Sequence, residues 1–262
     1  MTAQGDGRGA LVLVPTPLDF GCTPQGDVQA LLPPATLQRA ATLTHWIVEN
    51  ARSARAFLKR VQAVQPLAAP LQSLSLTELP RAWHKQGDAS AQAEVAARAL
   101  LQPALQGHDV GLLSEAGMPA IADPGSALVR AAHQLGLRVE PLVGPVSLLL
   151  ALAASGCPAQ AFAFAGYLPA AAPERAQALR ALEATARRQR QTQLFIETPY
   201  RNAALLQTAL QVLQPDTRLA VACALTLPQQ AVHAARVADW RRGAPALPLE
   251  LPAVFVLSAP LG

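Results

Sequence analysis

Short, unbroken apolar runs punctuate the first half of the chain, and longer segments with helically spaced apolar positions separate them. Residues 10–14 form such a run, ended by Pro15-Thr16-Pro17. Lacking a polar position to face water, it predicts a strand buried on both faces, as parallel sheets require. Residues 46–48 and 110–113 repeat the pattern, 71–76 alternate only in part, and 137–139 predict a short strand. The helices between carry end signals. Asn50 stands as an N-cap before 51–61, its side-chain oxygen placed to accept from free N–H groups of the first turn. Ser90 opens an Ala-rich helix over 89–102 with Pro103 past its end, and Gly136 closes a helix over 126–135. Residues 147–154 are apolar nearly all round and predict a buried helix. Strands alternating with helices predict a parallel α/β sheet with right-handed connections.

The pattern restarts after Ser155-Gly156-Cys157-Pro158. Residues 162–168, 193–197 and 253–258 read as strands, 174–189 and 202–213 as helices, and 218–225 with 232–237 as an antiparallel pair. The expected organisation is two α/β domains, residues 1–156 and 157–262, meeting at a cleft.

Asp109 to Gly125 is the most informative segment. An apolar strand ends in Ser114-Glu115-Ala116-Gly117, a loop follows, and Asp123-Pro124-Gly125 opens a helix. Strand, glycine loop and helix N-terminus in this order form a ligand-binding edge of a parallel sheet. Asp123 suits an N-cap, and Pro124 the first helical position, where its missing N–H costs nothing. Gly117 and Pro119 shape a loop whose backbone N–H groups can donate to a ligand carboxylate, or an ordinary β–α turn. No phosphate-loop pattern occurs.

Composition narrows the picture further. Apolar residues make up 51% of the chain, enough for a large core. A net charge of +4 permits an anionic partner without demanding one. Cys22, Cys157 and Cys223 lie far apart with no CxxC, which points to buried reduced thiols in a cytosolic protein. His45, His84, His108, His133 and His233 show no metal-ligand spacing, so no metal is expected. Residues 1–9 lack the basic and apolar regions of a signal peptide, and the most apolar stretch, 145–157, is too short to cross a bilayer. Ser114, His108 and Asp123 invite a hydrolase reading, which the absence of a GxSxG elbow argues against.

Taken together, Ser114-Glu-Ala-Gly-Met-Pro119, Ile121-Ala-Asp-Pro-Gly125 and Val143-Gly-Pro-Val-Ser147 resemble the tetrapyrrole methylase superfamily, the class III S-adenosylmethionine-dependent methyltransferases. Within it the chain is similar to the enzymes that 2′-O-methylate a cytidine of 16S ribosomal RNA. That likeness extends to Phe164-Ala-Gly-Tyr-Leu-Pro169, Phe195-Ile-Glu-Thr-Pro-Tyr-Arg201 and Ala222-Cys-Ala-Leu-Thr226. Glu115 and Met118 stand where that group's SDAGTP motif has Asp and Thr, and the loop from Pro15 to Phe20 is shorter than its counterpart. The chain therefore resembles a divergent paralogue of the group. The resemblance implies two αβα domains with the cofactor in a cleft between them, and a homodimer. It implies cofactor contacts from Leu18, Ser114, Gly117, Met118, Pro119, Ile121, Ser147, Leu148, Ile196, Ala222 and Thr226.

Ser147, at a helix start, is read both as an adenosine contact and as a plain helix cap. Glu49, Glu115 and Glu197 all end strands, where a sheet presents ligand-facing groups. Any of them suits a general base, and Glu197, in Glu197-Thr-Pro-Tyr-Arg201, is the first choice as catalytic residue. Arg175, Arg180, Arg187, Arg188, Arg190 and Arg201 crowd one segment, either as a phosphate-binding footprint or as a solvated face. Three functions follow. The first is a cytoplasmic S-adenosylmethionine-dependent methyltransferase acting on ribosomal RNA, with the small ribosomal subunit as partner. The second is a methyltransferase for a small acidic substrate such as a tetrapyrrole, and the third a non-catalytic cofactor- or RNA-binding paralogue.

Overall fold

The apolar run Ala10–Val14 becomes strand β1, with neighbours on both sides. A computed structural model describes residues 7–260, without the side chains of residues 84–86. The expected absence of a signal peptide rests mainly on residues 1–6, and the reading of His84 on its side chain; both lie outside the described residues. The first compact unit ends at Pro145, and the second begins at Val146.

In the first unit β1, β2 (His45–Val48), β3 (Ser75–Glu78), β4 (Val110–Leu113) and β5 (Arg138–Pro141) form a sheet of order β3-β2-β4-β1-β5. Every pairing is parallel, as the unbroken apolar runs predict. Side chains alternate between two cores. Val12, Val14, Trp46 and Val48 pack with residues of the helices Pro34–Ala41 and Ala51–Gln62. Leu11, Ile47 and Leu112 pack on the other face with residues of the helices Ala91–Leu100 and Ser126–Gln134.

Local signals place several ends correctly. Asn50 caps the helix Ala51–Gln62, accepting from the N–H groups of Arg52 and Ser53. Gly136 takes φ +69° just past the helix Ser126–Gln134. Three expectations need correction. Residues 71–76 are not one strand: Ser73 turns back through its N–H and hydroxyl onto the Pro70 carbonyl, and β3 starts only at Ser75. The helix over 89–102 stops at Leu100, and Pro103 lies in the first turn of a new one, Gln102–Leu105, where no N–H is required. Asp123 does not cap its helix. Asp88 does so from a distant loop, accepting from Gly125 N–H at 2.9 Å, Ala127 N–H at 2.8 Å and the Ser126 hydroxyl at 2.6 Å. Burial pushes the Asp88 carboxyl up, but these bonds and the charge of Arg130 hold it below the usual carboxylate range.

In the second unit β6 (Phe162–Tyr167), β7 (Thr192–Glu197), β10 (Ala253–Ser258), β8 (Arg218–Cys223) and β9 (Ala231–Arg236) lie in that order. The sheet is mixed: β6 and β7 are parallel, and β10 pairs antiparallel with both β7 and β8. The expected antiparallel pair is β8 with β9. Phe195, Val221 and Phe255 share a core with residues of the helices Ala172–Gln189 and Asn202–Val212. The helix Ser147–Ser155 packs against β8, β9 and β10 and so belongs to this unit. The division therefore falls upstream of the expected 156/157. That helix buries Leu148, Ala151 and Leu152, but Leu149 and Leu150 are exposed, so it is covered on one face only. Among the described residues no helix is long and apolar enough to cross a membrane.

Candidate functional site

Because the five strands of the first sheet run the same way, the loops after them open on one edge. The chain leaves β1 and β2 for one face and β4 for the other. Since β4 lies between β2 and β1, the loops part on either side of it, a topological switch point where open sheets bind ligands. A cavity of about 360 Å³ opens there, lined by residues including Thr16, Phe20, Arg52, Ser114 and Glu115.

Two loops at this edge are tied together. Thr16 N–H donates to the Gly117 carbonyl at 2.9 Å, and Gly117 N–H donates to the Thr16 carbonyl at 3.1 Å. The Gly117 N–H is therefore committed, not free for a ligand carboxylate as the sequence suggested. Gly117 has φ +75°, and a Cβ there would stand 3.1 Å from Leu18 Cδ2. Ala120 and Ala122, in the same loop, hold left-handed φ values of 65° and 66° despite their Cβ atoms. Such strain persists only where surrounding structure imposes it, and it clusters at ligand sites. Of the remaining predicted contacts here, Ser114 and Pro119 are buried, Leu18 and Met118 half-buried, and Ile121 exposed.

A clamp that sequence reasoning missed fixes the loop after β1. Asp19 is buried and takes a bidentate ion pair from Arg60, at 3.0 and 2.8 Å, together with the Gly26 N–H at 2.9 Å. Arg60 also donates to the Gly26 carbonyl. Only the Pro-rich punctuation around Asp19 signalled a fixed loop.

Carboxyl groups converge beside the cavity. Glu49, the residue after β2, accepts from the Glu115 N–H at 3.1 Å. Glu115, two residues past the end of β4, accepts from the Ser53 hydroxyl at 3.0 Å. Asp123 lies near both, and its carboxyl is pushed up to about 7, by burial first and by Glu49 next. A hydrogen bond with Ser114 opposes the rise and Glu115 adds to it.

In the second unit, Ile196 and Glu197 end β7, and Ala222 lies near the end of β8. The Glu197 side chain is 0% exposed. One oxygen takes Arg201 at 2.7 Å and the Thr198 N–H at 2.7 Å, and the other is buried with no partner among the described residues. The side chain is thus enclosed and tied to the 198–201 turn. Beyond β8, Ala224 and Thr226 take left-handed φ values of 51° and 70°, and the Thr226 hydroxyl is buried without a partner among the described residues. Val146, not Ser147, is the N-cap residue of the helix that follows it, and its side chain makes no cap hydrogen bond. The helix-cap reading of Ser147 is thereby removed. Leu148 is buried.

The six clustered arginines divide. Arg175 is buried and bonded to the Thr208 hydroxyl and the Ala170 carbonyl. Arg187 pairs with Asp216, and Arg201 with Glu197. Arg180, Arg188 and Arg190 are exposed. All three cysteines are free and buried, and burial, reinforced by Glu250, pushes the Cys223 thiol up to about 11. No group of three or more His, Cys, Asp or Glu among the described residues is arranged to hold a metal.

A profile of the family described as Tetrapyrrole (Corrin/Porphyrin) Methylases matches residues 36–240. The chain is 37% identical over 143 residues to the Ribosomal RNA small subunit methyltransferase I of Escherichia coli O157:H7, covering 55% of this chain and 49% of that protein. It is 32% identical over 207 residues to the protein of the same name from Xylella fastidiosa, covering 79% and 67% respectively. The matched stretch thus spans about half the length of the first of these relatives. Among solved structures, the methyltransferase CobJ is 20% identical and superposes with a TM-score of 0.54 over 96% of this chain and 94% of that one. That likeness supports the two-sheet α/β fold.

Proposed function

The chain belongs to the tetrapyrrole (corrin/porphyrin) methylase family, and on that premise we propose that it is an S-adenosylmethionine-dependent methyltransferase acting on ribosomal RNA. The reading of the acceptor as the ribose 2′-hydroxyl of a small-subunit cytidine is supported by the motif resemblance and by relatives named for the small-subunit RNA. The observation that carries the cofactor reading is the Thr16–Gly117 bridge. It holds two strand-end loops at the switch point, with a Cβ-free position against Leu18 and strained alanines beside it.

Those features fit a cofactor whose backbone contacts need close approach. Leu18, Ser114, Gly117, Met118, Pro119 and Ile121 of the first unit would hold it. Ser147, Leu148, Ile196, Ala222 and Thr226 of the second are carried by the family resemblance. When bound, the cofactor supplies a methyl group already activated by its sulfonium. The chain's task is to align the acceptor hydroxyl, exclude water and take a proton from a group whose pKa is far above neutral. With Glu197 enclosed, the proton acceptor falls to Glu115, which lines the cavity and is held by Ser53. We assign the protein to the cytoplasm as a homodimer, for which the exposed apolar pair Leu149 and Leu150 gives support.

The test is transfer of labelled methyl from the cofactor to small ribosomal subunits, total RNA and a small-molecule extract. Label in one cytidine of the small-subunit RNA is the expected result. Label confined to the small-molecule fraction overturns the RNA reading.

A further inference from the structure

A second basic cavity lies in the second unit, at the opposite edge of its sheet from Ile196 and Ala222. Its volume is about 490 Å³, and Pro158, Arg187, Arg190, Thr192, Ser258 and Pro260 are among its lining residues. Three elements build it: the C-terminal end of the helix Ala172–Gln189, the start of β7 and the end of β10. Arg218, which starts β8, stands opposite Ser258 in the sheet register.

The charges there are unequally answered. Arg187 is paired with Asp216, donates to the Thr217 hydroxyl at 2.8 Å, and lies 4.0 Å from Glu183. Glu183 is itself spent on the Thr217 hydroxyl and the Gln214 N–H. Arg190 and Arg218 have no carboxylate partner among the described residues. The Nε groups of Arg187 and Arg218 are buried with no acceptor among the described residues. Unanswered buried donors are uncommon, because each forfeits its hydration. Arg190 also holds φ 51° and ψ 37° at the helix end, a conformation that usually belongs to glycine or asparagine. An exposed arginine with no carboxylate partner among the described residues, standing beside Arg187 on the wall of a preformed cavity, describes a receptor for an anion with several acceptor oxygens.

We propose that this cavity holds a backbone phosphodiester of the RNA substrate, as an anchoring site apart from the cofactor loops. The proposal rests on the RNA reading given above. It narrows the arginine footprint to Arg187 and Arg190, which line the cavity, and leaves Arg175 and Arg201 to internal bonds. Arg187, held by Asp216, orients the wall, and Arg190 supplies the free charge. A phosphodiester presents acceptor oxygens that match guanidinium donors, and it carries no sequence information, so the site fixes register and not identity.

Arg190→Gly separates a binding role from a structural one. It removes the charge and relieves the left-handed strain, so the thermal midpoint should stay level or rise. Fluorescence anisotropy with a labelled small-subunit RNA hairpin should show binding roughly tenfold weaker. The salt slope of binding should flatten by about 0.7 to 0.9. Cofactor affinity should not change in this variant. RNA affinity and slope equal to wild type in Arg190→Gly overturn the anchoring site while leaving the RNA reading intact. A wild-type protein that binds no RNA and methylates a small molecule overturns both.

Discussion

Thr16 and Gly117 exchange two backbone hydrogen bonds, and through that bridge the loop after β1 and the loop after β4 become one surface. Neither loop is strand, yet their separation is fixed as firmly as in a ladder. The position demands glycine twice over: its φ of +75° disfavours any Cβ, and that Cβ would press on Leu18.

Gly117→Val should therefore abolish cofactor binding in calorimetry. Gly117 is itself buried, and a β-branched residue at φ +75° adds about 1 to 3 kcal/mol of backbone strain, so a folded protein with a thermal midpoint lowered by several degrees is expected. Tight cofactor binding in this variant would show that the cofactor lies elsewhere.

The three inner strands of the first sheet were legible because each carries its own signature. A wholly apolar run must be buried on both faces, and Ala10–Val14 and Val110–Leu113 are. Asn50 was legible because a cap acts on the next turn of its own helix. What escaped the sequence acts over distance. Asp88 meets Ala127 across 39 positions, and Arg60 meets Asp19 across 41, with no local pattern to announce either. Asp123-Pro124-Gly125 had the local chemistry of a cap but lost the role to a better-placed carboxylate. Glu197 was read as a base because it ends a strand, and only the packing of Arg201 and Thr198 around it revealed its enclosure.

The distant cap has a measurable cost. Asp88→Ala removes acceptors for two backbone N–H groups and a hydroxyl at the start of the helix Ser126–Gln134. Loss of about 2 kcal/mol is expected in urea melts, the upper end for cap removal. Asp123→Ala should not reproduce this loss, and equal effects of the two would restore Asp123 as a cap.

Asp123 imposes a pH dependence of its own. Its folded pKa of about 7 lies above the ordinary 3.8, so the folded state holds the proton more tightly than the unfolded chain. The stabilising contribution is complete below about 3.8 and fades as pH rises to about 7, where it is lost. Asp123→Asn, which cannot ionise, should remove this fall. The variant should melt higher than wild type at pH 8 and nearly level with it at pH 4. Parallel melting curves across that range would rule out the raised carboxyl.

Glu115 is the proposed proton acceptor, and its removal tests the chemistry apart from the fold. Glu115→Gln keeps the Ser53 contact and the side-chain shape. Turnover should fall by about 10²- to 10⁴-fold with cofactor affinity unchanged. Wild-type turnover would show that the hydroxyl loses its proton without this carboxylate.

The Glu197–Arg201 pair should respond unequally to loss of its two partners. Arg201→Ala leaves a carboxylate with a 0% exposed side chain and one oxygen already unpartnered, with no cation to balance it. Removing one member of a buried pair costs about 3 to 5 kcal/mol. Glu197→Gln leaves instead an arginine whose side chain is 30% exposed and can turn toward water. It also retains an amide oxygen for the Thr198 N–H. Its cost should be smaller, about 1 to 2 kcal/mol, the scale of weakening a charge-assisted hydrogen bond. If Glu197 only positions the turn, turnover in Glu197→Gln should fall less than tenfold, without a change in its pH profile. Loss of about 10²-fold or more with an unchanged melting midpoint would return Glu197 to the chemistry.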